Sequence, residues 1–353
     1  MRKVLCIILF GVILVLYSQS CKTSLDVSTK GHPLPLLSSY GFFTGNLHLL
    51  NPNQRVFSYQ LKNELFSDYL SKSRFVFLPD DQAMTFDPYE VFSFPEGTVL
   101  IKHFIDEKTE SSVPNIIETR LLILSDGIWY AYPYIWNEDQ SDAVYKPTGA
   151  LVSLRQDVEV PSSTFEHVIP NKNQCKSCHN QNDILKPIGP RAIHLDKLLY
   201  KDGKLVNQLT FFKEQSILVA YDSNKVDHYP YCFDENADLT LRAKAYLDIN
   251  CAHCHREGGS GGTSGLVLSA HQPLDRIYGI NKTPVATGKG SGGRPYTIVP
   301  GNPDASILPY RMQSTDPGAM MPELGRSVIH EEGVALIEKW IQKLDSTDIV
   351  INY

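Results

Sequence analysis

The chain has 353 residues, enough to bury one large core or two ordinary ones, so two domains are the default expectation. Hydrophobic residues make up 42% and charged ones 20%, the balance of a globular protein rather than a disordered or fibrous one. A formal net charge of −6 with no basic run excludes nucleic acid as an expected partner.

Residues 1–20 stand apart. Arg2 and Lys3 precede an apolar run, VLCIILFGVILVLY, that ends in SQSCKTS. The run is short for a bilayer span and is followed by small residues, so it reads as a removable secretory signal. Ser18 and Ser20 suit an ordinary signal peptidase. Ser20-Cys21 also resembles a bacterial lipobox, which makes Cys21 the expected lipidation site, with Ser18 standing where leucine is usual. Either route predicts an exported protein, periplasmic or held at the outer membrane as a lipoprotein, with the lipid anchor as its only membrane attachment. Outside the cytoplasm, free thiols are expected to pair into disulfides. Of the five cysteines left after Cys6 and Cys21, four lie instead in two pentapeptides.

Residues 21–37 are polar and proline-bearing, a tether without periodicity. A β-rich domain is expected over 38–200. VFSFPEGTVLIKHFI, IIETRLLIL and GIWYAYPYIW are short runs of β-branched and aromatic residues separated by turn-forming clusters. NELFSDYLSKS is the predicted helix of this half, and CKSCH (Cys175 to His179) closes it. Residues 201–236 read as a connecting segment. Over 237–346 the pattern turns helical. DLTLRAKAYLDIN has a capping Asp238 and apolar positions at Leu241, Ala245 and Ile249, and it runs into CAHCH, Cys251 to His255. Gly258 to Gly265 and TGKGSGG are loops that do not match a phosphate cradle. Val334, Ile337, Ile341 and Leu344, with Trp340 beside them, predict an amphipathic terminal helix. The expected fold class is α+β.

A Cys-x-x-Cys-His pentapeptide presents two thiols that can add to the two vinyl groups of a haem, followed by an imidazole placed for the iron. A four-cysteine zinc site built from both pairs leaves two histidines unexplained. A thioredoxin-like motif wants one CxxC between a strand and a helix, and two short structural disulfides would be strained. The expected cofactors are therefore two covalently attached c-type haems. Cys175 and Cys178 attach the first with His179 on its iron; Cys251 and Cys254 attach the second with His255 on its iron. GAMMPELG offers Met321 as the other ligand of the second iron, its loop stiffened by Pro322. Met320 is a possible exchange partner and Met312 a more remote one; the competing reading makes these methionines core filler. For the first iron, His194, His103, His167 and Met84 are candidates beside an open, five-coordinate site. Cys232 reads as an inert thiol or as an inter-chain pairing site.

From Asp238 onward the chain resembles a class I cytochrome c domain, on the helix into CAHCH, TSGLVLS, VPGNPDASILPYRM, MMPELG and VALIEKWI. This implies that the β-rich domain is followed by an all-α class I cytochrome c domain over 237–346. The whole mature chain resembles a family of exported bacterial dihaem c-type cytochromes, on KNELFSDYLSKSRFVFLPD, FPEGTVLIKHF, YIWNEDQSDA, CKSCH with PIGPRA, and AYLDINCAHCH. FPEGTVLIK in a β-rich segment ahead of CxxCH is also similar to the cytochrome P-460 and β-type cytochrome c′ fold, in which a small β-sheet domain carries the haem. That likeness implies a first haem in the N-terminal domain with an open distal face. The lysine–haem cross-link of that family is not carried onto Lys102, because the motif around it matches a strand.

Together these resemblances imply a dihaem cytochrome that transfers electrons between a redox enzyme and the respiratory chain, with a donor dehydrogenase and an acceptor cytochrome or oxidase as protein partners. An electron carrier ranks ahead of a catalytic oxidoreductase. The alternatives are a dihaem peroxidase-like oxidoreductase and a haem-based small-gas-binding module, both of which need an open first haem.

Overall fold

The structure is a computed structural model that describes residues 32–108, 114–155, 163–285, 287–345 and 349. The expected signal and the lipidation site at Cys21 lie outside the described residues.

Six antiparallel strands form the main sheet in chain order: β1 (Val56–Tyr59), β2 (Ser71–Phe77), β3 (Val99–Asp106), β4 (Asn115–Ser125), β5 (Ile128–Trp136) and β6 (Ala143–Tyr145). Period-two alternation sends successive side chains to opposite faces. Asp126 and Gly127, with φ of 53° and 72°, form the two-residue turn that pairs Ser125 with Ile128, because that turn needs positive φ at both positions. One face carries Phe75, Phe77, Ile101, Leu121, Ile123, Tyr132 and Tyr134, covered by Leu37, Tyr40, Phe42 and Leu47. Burying side chains of this size contributes roughly 1.5–3 kcal/mol each, which ties the N-terminal segment down. The last residues of the expected tether belong to this layer: Leu37 is buried and its N–H reaches Ala143 O at 2.9 Å.

After the sheet, a hairpin of β7 (Ala150–Arg155) and β8 (Thr164–Ile169) leads into a one-turn helix, α1 (Cys175–Cys178). Two short helices follow, α2 (Ala192–Leu195) and α3 (Gln208–Glu214). They lay Ala192, Leu195, Leu209 and Phe212 on the second face of the sheet, against Val76 and Leu100. The expected connecting segment thus includes α3, which covers the sheet.

Two expectations are overturned. NELFSDYLSKS is no helix: the chain is irregular before Ser71 opens β2, and Asp68 and Tyr69 have φ of 52° and 57°. Tertiary hydrogen bonds override the local helical preference there. Asn63 accepts from Cys232 N and donates to Pro230 O, and Asp68 accepts from the backbone of Ser327 and Val328. The second correction concerns the fold class. The α+β division with an all-α class I cytochrome c domain over 237–346 is not seen; strand makes up 27% of the molecule and helix 21%. The C-terminal part holds α4 (Leu239–Leu247), which continues as one π-turn to Ala252, then α5 (Ile307–Met312) and α6 (Glu331–Lys343), of 9, 6 and 13 residues. The long stretch between α4 and α5 is turns and single 3-10 turns. Its glycines and prolines cost helix about 1 and 3 kcal/mol each relative to alanine, so it cannot continue as helix.

The C-terminal part still has its own apolar centre, with Tyr246, Leu247, Tyr278, Ile298, Ile337, Trp340 and Ile341 all buried together. Asp238 caps α4 by accepting from Leu241 N at 2.9 Å. No helix among the described residues is long and apolar enough to cross a membrane.

Candidate functional site

The first pentapeptide is built by the turn after β8. Asn171 accepts from the N–H groups of Asn173 and Gln174 through its side chain, and its carbonyl receives Cys175 N at 3.2 Å. This winds Cys175–Cys178 into a turn whose end projects His179, with His179 N on Cys175 O at 3.0 Å. His179 is then locked to a short hairpin: Lys186 N donates to His179 O at 2.8 Å and His179 Nδ1 faces Lys186 O at 3.1 Å. A carbonyl oxygen only accepts, so Nδ1 carries the proton and Nε2 keeps its lone pair.

The second pentapeptide reaches the same state by another route. Ser264 Oγ donates to Gly261 O at 2.6 Å and so accepts from His255 Nδ1 at 3.2 Å. Again Nε2 is left as a bare lone pair. The glycine loop makes this approach possible, since a Cβ on Gly261 would stand 2.9 Å from the His255 ring. Burial pulls both imidazole pKa values down to about 4, so both rings are neutral at neutral pH. Neither Nε2 has a hydrogen-bond partner among the described residues.

Though far apart in sequence, the two pentapeptides touch. Ser177 O receives Ser260 Oγ at 2.5 Å and Cys254 Sγ at 3.7 Å, and Asn182 N donates to Gly258 O at 2.8 Å. The donor atoms of Cys178, His253 and Cys254 lie within 4.8 Å of one another. The neighbouring Cys254 thiol pushes the Cys178 pKa down while its own is pushed up by Cys178 and by burial. A cavity of about 490 Å³ opens at this junction, lined by Cys178, Cys251, Cys254, His255 and Met321. It adjoins a second, apolar cavity that Cys251, His255 and Met321 also line.

Met321 is held from two sides. Its N–H donates to Arg311 O at 3.0 Å, and Arg326 donates to its carbonyl through Nε at 3.2 Å and a terminal nitrogen at 2.9 Å. Its side chain shares both cavities with His255. Met320 is buried and lines neither, whereas Met312, packed in the C-terminal core, lines only the apolar one. These residues fit a haem attached at Cys251 and Cys254, with imidazole and thioether facing one space.

His179 opens into a separate cavity of about 120 Å³ beneath the second face of the sheet, which Arg74, Lys102, Arg120, Arg191 and His194 also line. Of the candidates for the first iron, only His194 is brought here. Its Nε2 is taken by Asp248 at 2.8 Å and its Nδ1 has no partner. His103 lies on the opposite face between Phe43 and Phe75, bonded to Thr119. His167 is clamped between Asp68 and Glu118, and Met84 is buried in the apolar layer under α2 and α3. Of the first pentapeptide's three donors, His179 lines this cavity, whereas Cys178 lines the junction cavity and Cys175 lines neither.

Sequence reasoning missed Asp248, in the π-turn just before Cys251. It accepts from Arg191, His194 and Ala270 N at 2.7, 2.8 and 2.8 Å, so it ties the PIGPRA segment after the first motif to the second motif. An acidic residue at the end of an apolar-striped helix leading into CAHCH was the available signal. Cys232 is buried and its thiol is pushed up to about 12, so it is inert as a nucleophile. The five described cysteines are free of disulfides. No four-cysteine cluster forms among the described residues; the group that could hold a metal ion is Cys178, His253 and Cys254. Comparison with family models, curated proteins and solved structures finds no match to this chain.

Proposed function

We propose that the protein is an exported dihaem c-type cytochrome, which carries electrons between a donor dehydrogenase and an acceptor cytochrome or oxidase. The observation that carries this reading is the junction. Two pentapeptides able to attach haem are packed against each other, and each presents a neutral imidazole with Nδ1–H anchored and Nε2 bare. Anchoring Nδ1–H fixes the tautomer and raises the basicity of the ligating nitrogen. Bound haem iron supplies one-electron chemistry; the chain supplies attachment, orientation and potential. Met321, held by Arg311 and Arg326, supports a thioether ligand at the second site, which favours the ferrous state relative to histidine. Contact between the motifs supports electron passage within one chain.

The test is to produce the chain with a cytochrome c maturation system and measure covalent haem by pyridine haemochrome and mass spectrometry. Two haems per chain are expected. Stoichiometric zinc without covalent haem overturns the reading and directs attention to Cys178, His253 and Cys254. One observation favours a second reading at the first site, an oxidoreductase or gas-binding centre. No methionine lines the His179 cavity, and its one other histidine uses Nε2 for Asp248. Spectra with carbon monoxide and peroxide separate these, because two low-spin haems indifferent to both ligands leave electron transfer alone.

A further inference from the structure

Arg74, Lys102 and Arg120 stand directly opposite one another on β2, β3 and β4, a row of three cations across neighbouring strands. Like charges placed opposite each other in a sheet are destabilising, so the row needs compensation. Two members have it. Arg74 is paired with Glu64 at 3.1 and 2.7 Å, and Arg120 with Glu118 at 2.8 and 2.5 Å. Lys102 has neither hydrogen bond nor ion pair among the described residues; its ammonium lies over the Phe104 ring at 4.5 Å. All three side chains line the His179 cavity, and no carboxylate lines it. Burial and the flanking arginines push the Lys102 pKa well down, as expected for a cation with no counter-charge.

We propose that Lys102, flanked by Arg74 and Arg120, is an anion subsite that takes one carboxylate or small oxyanion beside His179. Among the cations that line this cavity Lys102 lacks a carboxylate partner within the described residues, and one negative ligand that keeps it protonated completes the set. Glu64 and Glu118 neutralise the two arginines, Asp248 neutralises Arg191, and Lys102 alone remains to be matched. Two sources carry this chemistry, a free carboxylate from solution or a propionate of a haem attached at Cys175 and Cys178. The second source rests on the proposed function; the first does not.

The experiment titrates sodium formate into the purified holoprotein by calorimetry and absorption, and measures haem potentials, in the wild type, Lys102→Gln and Lys102→Arg. Haem content is measured on the same samples and folding is checked by circular dichroism. If the anion comes from solution, formate binds once per chain, at least tenfold more weakly in Lys102→Gln, with recovery in Lys102→Arg. If a propionate fills the site, formate does not bind, while Lys102→Gln lowers the potential of one haem and Lys102→Arg restores it. Absence of formate binding together with unchanged potentials overturns the proposal. A chain without haem that still binds formate through Lys102 overturns the dihaem reading and leaves the anion subsite standing.

Discussion

Asp68 receives His167 Nδ1 at 2.8 Å through one carboxylate oxygen, and through the other it receives the backbone N–H groups of Ser327 and Val328 at 2.5 and 3.1 Å. His167 Nε2 in turn faces Glu118 at 3.3 Å, and Glu118 holds Arg120 in the His179 cavity. Ser327 follows Arg326, the side chain that fixes the Met321 carbonyl. A buried run of charged groups therefore links the floor of one candidate site to the loop of the other.

This link is pH-dependent. Burial pulls the His167 pKa down, but hydrogen bonds and charge from Asp68 and Glu118 outweigh it, and the net shift is upward. A folded-state pKa above the unfolded value stabilises fully below about pH 6.5, and the gain is lost as pH rises through the folded value. His167→Ala leaves buried Asp68 without its cation, while Glu118 keeps Arg120, and should cost about 3–5 kcal/mol at pH 6. Urea denaturation should show that difference shrinking toward pH 9. A gap that stays constant across this range would refute the assignment.

Asp248→Asn tests the other tie. Burial raises the Asp248 pKa, while Arg191 and the His194 hydrogen bond lower it further than burial lifts it, so the carboxylate is ionised in the fold. Removing its charge leaves Arg191 half buried without its partner. A loss of about 3–5 kcal/mol in thermal or urea unfolding is expected, together with reduced haem attachment at Cys251 and Cys254. Wild-type stability would show that the π-turn is held by other means.

At the second site, Met321→Ala should abolish the weak absorption band that sulfur ligation gives at the red edge of the visible and should lower the potential of one haem. Met320→Ala should leave that band intact and destabilise the fold by about 2–5 kcal/mol, as truncation of a buried methionine does. The reverse outcome would exchange the roles of the two methionines.

Ser264→Ala removes the acceptor of His255 Nδ1–H without touching the ring itself. A histidine that has lost this bond is a weaker donor to ferric iron, so the potential of the second haem should rise while the haem stays low-spin. Redox titration with parallel spectra reads both quantities. An unchanged potential would mean that the 3.2 Å contact does not tune the ligand.

Much of this architecture is legible in residue order. The stripe at Val334, Ile337, Ile341 and Leu344 reports α6, the cap at Asp238 reports α4, and the β-branched runs report β3, β4 and β5, because each pattern is local. NELFSDYLSKS misled because Asn63 and Asp68 are committed to partners more than a hundred positions away. The all-α expectation for the C-terminal part failed where a resemblance in short motifs was extended over glycine- and proline-rich loops that cannot be helical. The Arg74–Lys102–Arg120 row depends on strand register, and the contact of the two pentapeptides depends on the packing of whole layers; neither is a property of any one segment.

The contact at Ser177 O also fixes an order of events. Once Cys254 and Ser260 have closed onto that carbonyl, Cys175 and Cys251 are largely covered by their surroundings, and an attachment enzyme has little room to reach them. On the proposed reading, both thioether pairs must form while the chain is still open. The closed junction is then a record of completed maturation, and a chain that folds first locks its cofactors out.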